Sequence, residues 1–192
     1  MKRIFAHIIA GCVLMTLAGA AHAQVVGQSN QNQSQFSVKV GGFFPTNASA
    51  SDNSGSTVLS AGLDYAIPST GQNSTTSLPS LYFDYDGGSR NGGHVDTYGV
   101  GVAVRSSSVP SNPASKAGLQ PYFGLGVGYY DVQVKNTHVA PSVSGTKATF
   151  GGKVFVGVNL TSSFFVEANY QLISSEKSVN PSGFGAQVGL RF

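Results

Sequence analysis

Apolar residues recur at every second position of this chain, segment after segment, from residue 36 to the end. A period of two sends alternate side chains to opposite faces of a β-strand, whereas an amphipathic helix needs a period near 3.6. The pattern holds over 36–44, 59–67, 81–86, 97–104, 122–129, 150–160, 166–172 and 184–192. It predicts an all-β fold of eight strands with no helix. At Tyr129-Tyr130 the apolar phase slips, which predicts a β-bulge.

Alternation does not say which face is inside. A soluble barrel around an apolar cavity and a membrane barrel with an apolar exterior share the same period, so composition has to separate them. Only 10% of the residues are Asp, Glu, Lys or Arg, against roughly 25% in an average soluble domain. A water-facing wall would need those charges; here the second face is mostly Gly, Ser, Thr and Asn. Glycine suits the inside of an eight-stranded barrel, whose bore is only wide enough for side chains to fill. Aromatic residues of the apolar face gather near the strand ends. With the first strand running outward from the periplasm, Phe36, Tyr65, Phe123, Phe164 and Phe192 make one ring, and Phe44, Tyr85, Tyr98, Tyr129, Phe150 and Phe184 the other. Two aromatic girdles around a Val, Leu and Ala band are the pattern expected of an outer-membrane barrel, although β propensity alone also enriches Phe and Tyr in strands.

Residues 1–23 read as a signal peptide. Met1-Lys2-Arg3 is a basic start, the run from Ile4 to Leu17 is apolar, and Ala21-His22-Ala23 fits the small-x-small rule for cleavage between Ala23 and Gln24. The rivals are an uncleaved anchor helix and lipoprotein processing at Cys12 after Ile9-Ala10-Gly11. Cleavage removes the sole cysteine and leaves nine Lys and Arg against eight Asp and Glu, with no basic patch for nucleic acid. Residues 24–35 (QVVGQSNQNQSQ) read as a flexible polar segment, and residues 36–192 as the barrel domain. Thr46 to Ser56, Gly87 to His94, Asn136 to Thr146 and Ser174 to Ser182 are the expected outer loops. Pro68 to Ser74, Ser106 to Gly118 and Thr161-Ser162-Ser163 are the expected periplasmic links.

Motifs for soluble chemistry are missing. Gly124-Leu-Gly126-Val-Gly128 continues as strand instead of opening a helix, and Phe150-Gly151-Gly152-Lys153-Val154 lacks the remaining positions of a phosphate loop. His94 and His138 stand too far apart in sequence to argue a metal centre, so no cofactor is expected. The informative polar residues are Lys39, Asp64, Asp84, Arg105, Lys153, Glu167 and Arg191, all on the lumen face. Charges in a narrow lumen need partners, and similar depths on adjacent strands predict two ion pairs, Lys39 with Asp64 and Glu167 with Arg191. With Tyr82, Tyr122 and Phe155 these residues make either a structural plug or an ionic gate.

The chain resembles the small eight-stranded outer-membrane β-barrels of the OmpA and OmpX type, with OmpW-like proteins as relatives. The resemblance rests on the signal peptide, the segment Pro121-Tyr-Phe-Gly-Leu-Gly-Val-Gly-Tyr129 and the ending Phe184-Gly-Ala-Gln-Val-Gly-Leu-Arg-Phe192. It implies that the barrel assembly machinery reads the terminal aromatic Phe192. It also implies residence in the outer-membrane lipid of a diderm bacterium. No peptidoglycan-binding domain is expected after Phe192, which sets the chain apart from the full OmpA architecture, and the tryptophan of many OmpW-like proteins is missing. Some barrels of this size modify lipid A with His, Ser and an acid near the outer rim. Here His94, Asp96 and Ser89 lie together, as do His138, Ser142 and Ser144, with no spacing that enforces contact. The expected function is non-enzymatic: membrane integrity, or interaction with an extracellular ligand or host surface through the loops. The alternative is a narrow gated pore or a channel for small or hydrophobic solutes.

Overall fold

The computed structural model describes residues 35–67, 77–107, 119–136, 143–175 and 178–192. The readings of residues 1–23 as a signal peptide and of most of 24–35 as a tether lie outside the described residues. Eight antiparallel strands pair in sequence order and close on themselves as an up-and-down barrel. They are β1 (Phe36–Pro45), β2 (Val58–Ala66), β3 (Ser77–Arg90), β4 (Gly93–Ser107), β5 (Gln120–Asn136), β6 (Val143–Asn159), β7 (Phe164–Ile173) and β8 (Gly183–Arg191). Ala66, whose N–H donates to Gln35, leads in register through Ser80, Ala103, Gly126, Lys153, Gln171 and Gly183 to Pro45. One circuit of the wall therefore climbs ten residues of β1, from 35 to 45. That stagger tilts the strands steeply and sets which lumen side chains share a depth.

Burial follows the predicted alternation with the apolar face outward. Leu125, Val127 and Val100 are 64%, 64% and 57% exposed, while Lys39 and Glu167 are 2% and 1% exposed. Neighbouring strands join their aromatics at both edges of this band. Phe36 packs on Tyr65 with ring centres 4.8 Å apart near the chain ends. Tyr85–Tyr98, Tyr129–Phe150 and Tyr170–Phe184 pack at 5.1, 5.5 and 4.5 Å near the opposite end.

Three features differ from the sequence reading. No bulge occurs at Tyr129-Tyr130, because β5 keeps one continuous register with β4 and β6 through both residues. The polarity inverts instead of the phase: Tyr130, Val132 and Val134 stay inside and buried, while Asp131, Gln133 and Lys135 face outward. Above the apolar band the outer wall meets a polar medium, so the same alternation carries the opposite chemistry. For the same reason Gly87 to His94 is not a loop. β3 and β4 continue to a two-residue turn at Asn91-Gly92, both with positive φ (50° and 78°), as tight hairpins require. Finally there is a helix, α1 (Ala48–Ser54), capped by Asn47, whose side chain accepts the Ser49 N–H at 2.9 Å. α1 has Ala50, Asn53 and Ser54 buried.

Candidate functional site

Polar residues on the inner face of every strand meet inside the bore, stacked in layers along the axis. In the middle layer Lys39 of β1 is the hub. Its Nζ lies 3.0 Å from Glu167 Oε1, 3.3 Å from Asp64 Oδ2 and 3.7 Å from Asp84 Oδ1. Asp64 also accepts from Ser37 at 3.2 Å. Lys153 Nζ donates to Asp84 Oδ2 at 2.6 Å and sits 3.6 Å from the centre of the Tyr82 ring, a cation–π contact with little competing water. Tyr82 continues to Tyr130 through their hydroxyls, 3.0 Å apart.

One layer further from the chain ends, charge gives way to amides. Asn169 donates to Gln187 at 3.2 Å, Gln187 to Ser60 at 2.7 Å and Gln171 to Asp86 at 2.7 Å, while the Ser60 hydroxyl also donates to Asp86. Above them Val95, Val132, Val134, Ile173 and Val179 cluster with Ala50 of α1 as an apolar cap. At the opposite end, the guanidinium of Arg191 lies 4.6 Å from the Phe165 ring centre and that of Arg105 4.8 Å from that of Tyr122.

The structure brings Lys39 and Asp64 together but does not form the expected pair of Glu167 with Arg191. Glu167 stands opposite Gln187 in register, four positions from Arg191, about 13 Å along the strand at the usual rise. Its oxygens go to Lys39 and to the Tyr122 hydroxyl at 3.0 Å each. Asp84 and Lys153, assigned to the lumen without partners, pair with each other, and Arg105 Nη2 lies 3.9 Å from Asp64 Oδ2. Asp86, not among the lumen residues expected from the sequence, belongs to the same interior. Its spacing of two from Asp84 on one strand was the available signal.

Glycine makes room for this interior. A Cβ on Gly124 would lie 2.2 Å from the Phe155 ring, on Gly157 2.3 Å from Tyr122 and on Gly189 2.2 Å from Phe165. Each of these rings thus fills the space that a side chain would need on the glycine paired with it on the neighbouring strand. A hollow of about 580 Å³ does occur, but it is an apolar recess lined by Phe123, Val156, Val166 and Ala168, whose side chains face outward.

On the outer rim Ser89 lies opposite His94 in register, and Asp96 shares that outward face. The Asp96 carboxylate accepts the Tyr85 hydroxyl at 3.1 Å. No hydrogen bond joins His94 to Ser89 or Asp96 among the described residues. His138 and Ser142 lie outside the described residues.

A closed eight-stranded barrel with apolar outer walls, aromatic edges and a polar interior is a transmembrane β-barrel. The chain belongs to the outer membrane protein beta-barrel domain family, which matches residues 10–192. Its fold is that of small barrels of the bacterial outer membrane. Neisserial surface protein A is 14% identical with a TM-score of 0.54, over 82% of this chain and 95% of that one. Ail, the attachment invasion locus protein of Yersinia pestis, is 15% identical with a TM-score of 0.50, over 83% and 99%. The outer membrane enzyme PagL is 10% identical with a TM-score of 0.51, over 81% and 98%. No curated protein sequence matches the chain. Surface proteins and an enzyme share this architecture, so the fold does not choose between them.

Proposed function

We propose that this protein is a non-enzymatic, non-conducting outer-membrane barrel that presents a raised β-surface to the outside of the cell. Insertion from the periplasm leaves both chain ends on that side, so α1 and the tips of β3–β6 face outward. The observation that carries the reading is the filled bore: a paired polar core under an apolar cap. Four strands also outgrow the membrane band. β3 and β4 pair up to Arg90 and Gly93, and β5 and β6 up to Asn136 and Val143, whereas β6 meets β7 no higher than Gly151. Among the described residues β6 above that point pairs with no β7 residue, although Lys147 reaches the Ser175 carbonyl, and such an edge offers backbone groups to a partner chain.

The test is to shorten this ledge by joining Gln133 to Thr146, which are opposite in register, through Asn-Gly. Cells carrying the shortened protein are expected to keep normal detergent resistance and to lose attachment to host-cell or matrix surfaces. Attachment equal to that of the full-length protein contradicts the surface reading.

The competing reading is an ionic gate, favoured by the three acids within 3.7 Å of Lys39, which offer that cation alternative partners. For the lipid-modifying alternative, His94→Ala is expected to leave lipid A composition unchanged by mass spectrometry, because Asp96 is held by Tyr85. Altered lipid A makes the protein an enzyme. We also assign Phe192 to recognition by the assembly machinery. Phe192→Ala is expected to lower the amount of heat-modifiable barrel in the outer membrane several-fold at equal synthesis, and an unchanged amount removes that role.

A further inference from the structure

At the chain-end mouth of the lumen two arginines share one aromatic ring. The guanidinium of Arg105 lies 4.8 Å and that of Arg191 5.4 Å from the centre of Tyr122. The carboxylates within reach are already engaged: Glu167 by Lys39 and Tyr122, Asp64 by Ser37 and Lys39. Asp64 approaches Arg105 only to 3.9 Å. Three buried donors, Arg105 Nε and Arg191 Nε and Nη2, meet no acceptor among the described residues.

Buried guanidinium donors without acceptors are costly, and two cations held at one ring repel, so the pair gains most from an anion within reach of both. The guanidinium fork matches the oxygens of carboxylates and phosphates. Of the two, phosphate brings up to two negative charges to two cations and enough oxygens for every free donor. We propose that Arg105 and Arg191, with Tyr122 as the surface between them, form a binding site for a phosphate group at this mouth of the bore. On the orientation argued above it opens to the periplasm. Access is from that end: the Arg105 side chain remains 15% exposed, whereas α1 and the valine cluster cover the other end. Arg191 is in register with Ser37, beside the Phe36–Tyr65 edge of the membrane band. The phosphate therefore has two sources, a free phosphate compound or the headgroup of an adjacent lipid.

The test uses the protein purified in a phosphate-free maltoside detergent, titrated calorimetrically with inorganic phosphate. Saturable binding is expected, weakened about tenfold or more in Arg105→Gln and Arg191→Gln, each of which removes charge-assisted hydrogen bonds. Arg191→Lys keeps the charge and loses the fork, so it is expected to weaken binding as well. A heat-modifiable band establishes that each variant is folded. Repeating the titration in nanodiscs separates the sources: binding suppressed by phosphatidylglycerol assigns the site to a lipid headgroup, and binding unaffected by it assigns the site to free phosphate. Absence of saturable binding to the folded wild-type protein, or binding by all three variants as tight as that of the wild type, overturns the proposal.

Discussion

Lys39→Met is expected to destabilise the barrel by about 3–5 kcal/mol, the scale on which one partner's removal leaves buried charge uncompensated. The substitution keeps most of the apolar stem and deletes one charge. What it leaves behind is unfavourable: Glu167, Asp64 and Asp84, each within 3.7 Å of Nζ, face one another with Lys153 and Arg105 as the remaining neighbours. Their repulsion, not the lost attraction, accounts for most of the effect. Adding Glu167→Gln and Asp64→Asn to Lys39→Met is therefore expected to restore much of the stability. Urea unfolding in detergent, followed by loss of the heat-modifiable band, measures both variants. A Lys39→Met barrel within 1 kcal/mol of wild type, or a triple variant weaker than the single one, contradicts the paired core.

Gly124→Leu is expected to cost about 3 kcal/mol, the upper end of the usual range for overpacking. A Cβ there would meet the Phe155 ring at 2.2 and 2.5 Å and the Val104 carbonyl oxygen at 2.6 Å. A ring can turn aside, but a carbonyl held in the β-ladder cannot. Phe155→Ala alone is expected to cost about 3–5 kcal/mol through the cavity it leaves. Because the two side chains compete for one space, the double variant should cost less than the two single ones together, with a coupling of about 1 kcal/mol or more. Additive losses contradict the account of the interior as rings seated on glycines.

The membrane band was legible because one rule governs it: lipid outside and a narrow bore inside force apolar and small or polar residues to alternate. The register preserves that rule from Phe36 opposite Tyr65 to Phe164 opposite Leu190. Above the band the rule reverses. Val132 and Val134 are inside and Gln133 outside, so a reader who tracks only apolar residues sees a slip where the backbone has none. Gly87 to His94 misleads in the same way, since polar and glycine residues suggest a loop while the ladder runs on to Arg90 opposite Gly93. α1 left no periodic trace because seven residues with three of them buried form a helix only through the Asn47 cap and the strands beneath.

The lumen was legible in membership and not in partnership. Alternation places Lys39, Asp64, Asp84, Lys153 and Glu167 inside, but the contact of Lys39 with Glu167, 128 positions away in sequence, exists only once β1 and β8 close the wall. The Glu167–Arg191 expectation fails on depth. Two residues assigned to one level of adjacent strands are separated by four positions of the Glu167–Gln187 register.

A bore filled by paired side chains does not conduct, and single-channel recording of the purified protein in a planar bilayer tests this most directly. The folded protein is expected to leave the bilayer silent. Discrete openings whose size or frequency changes when Lys39 and Asp64 are neutralised would contradict the plug and establish the ionic gate.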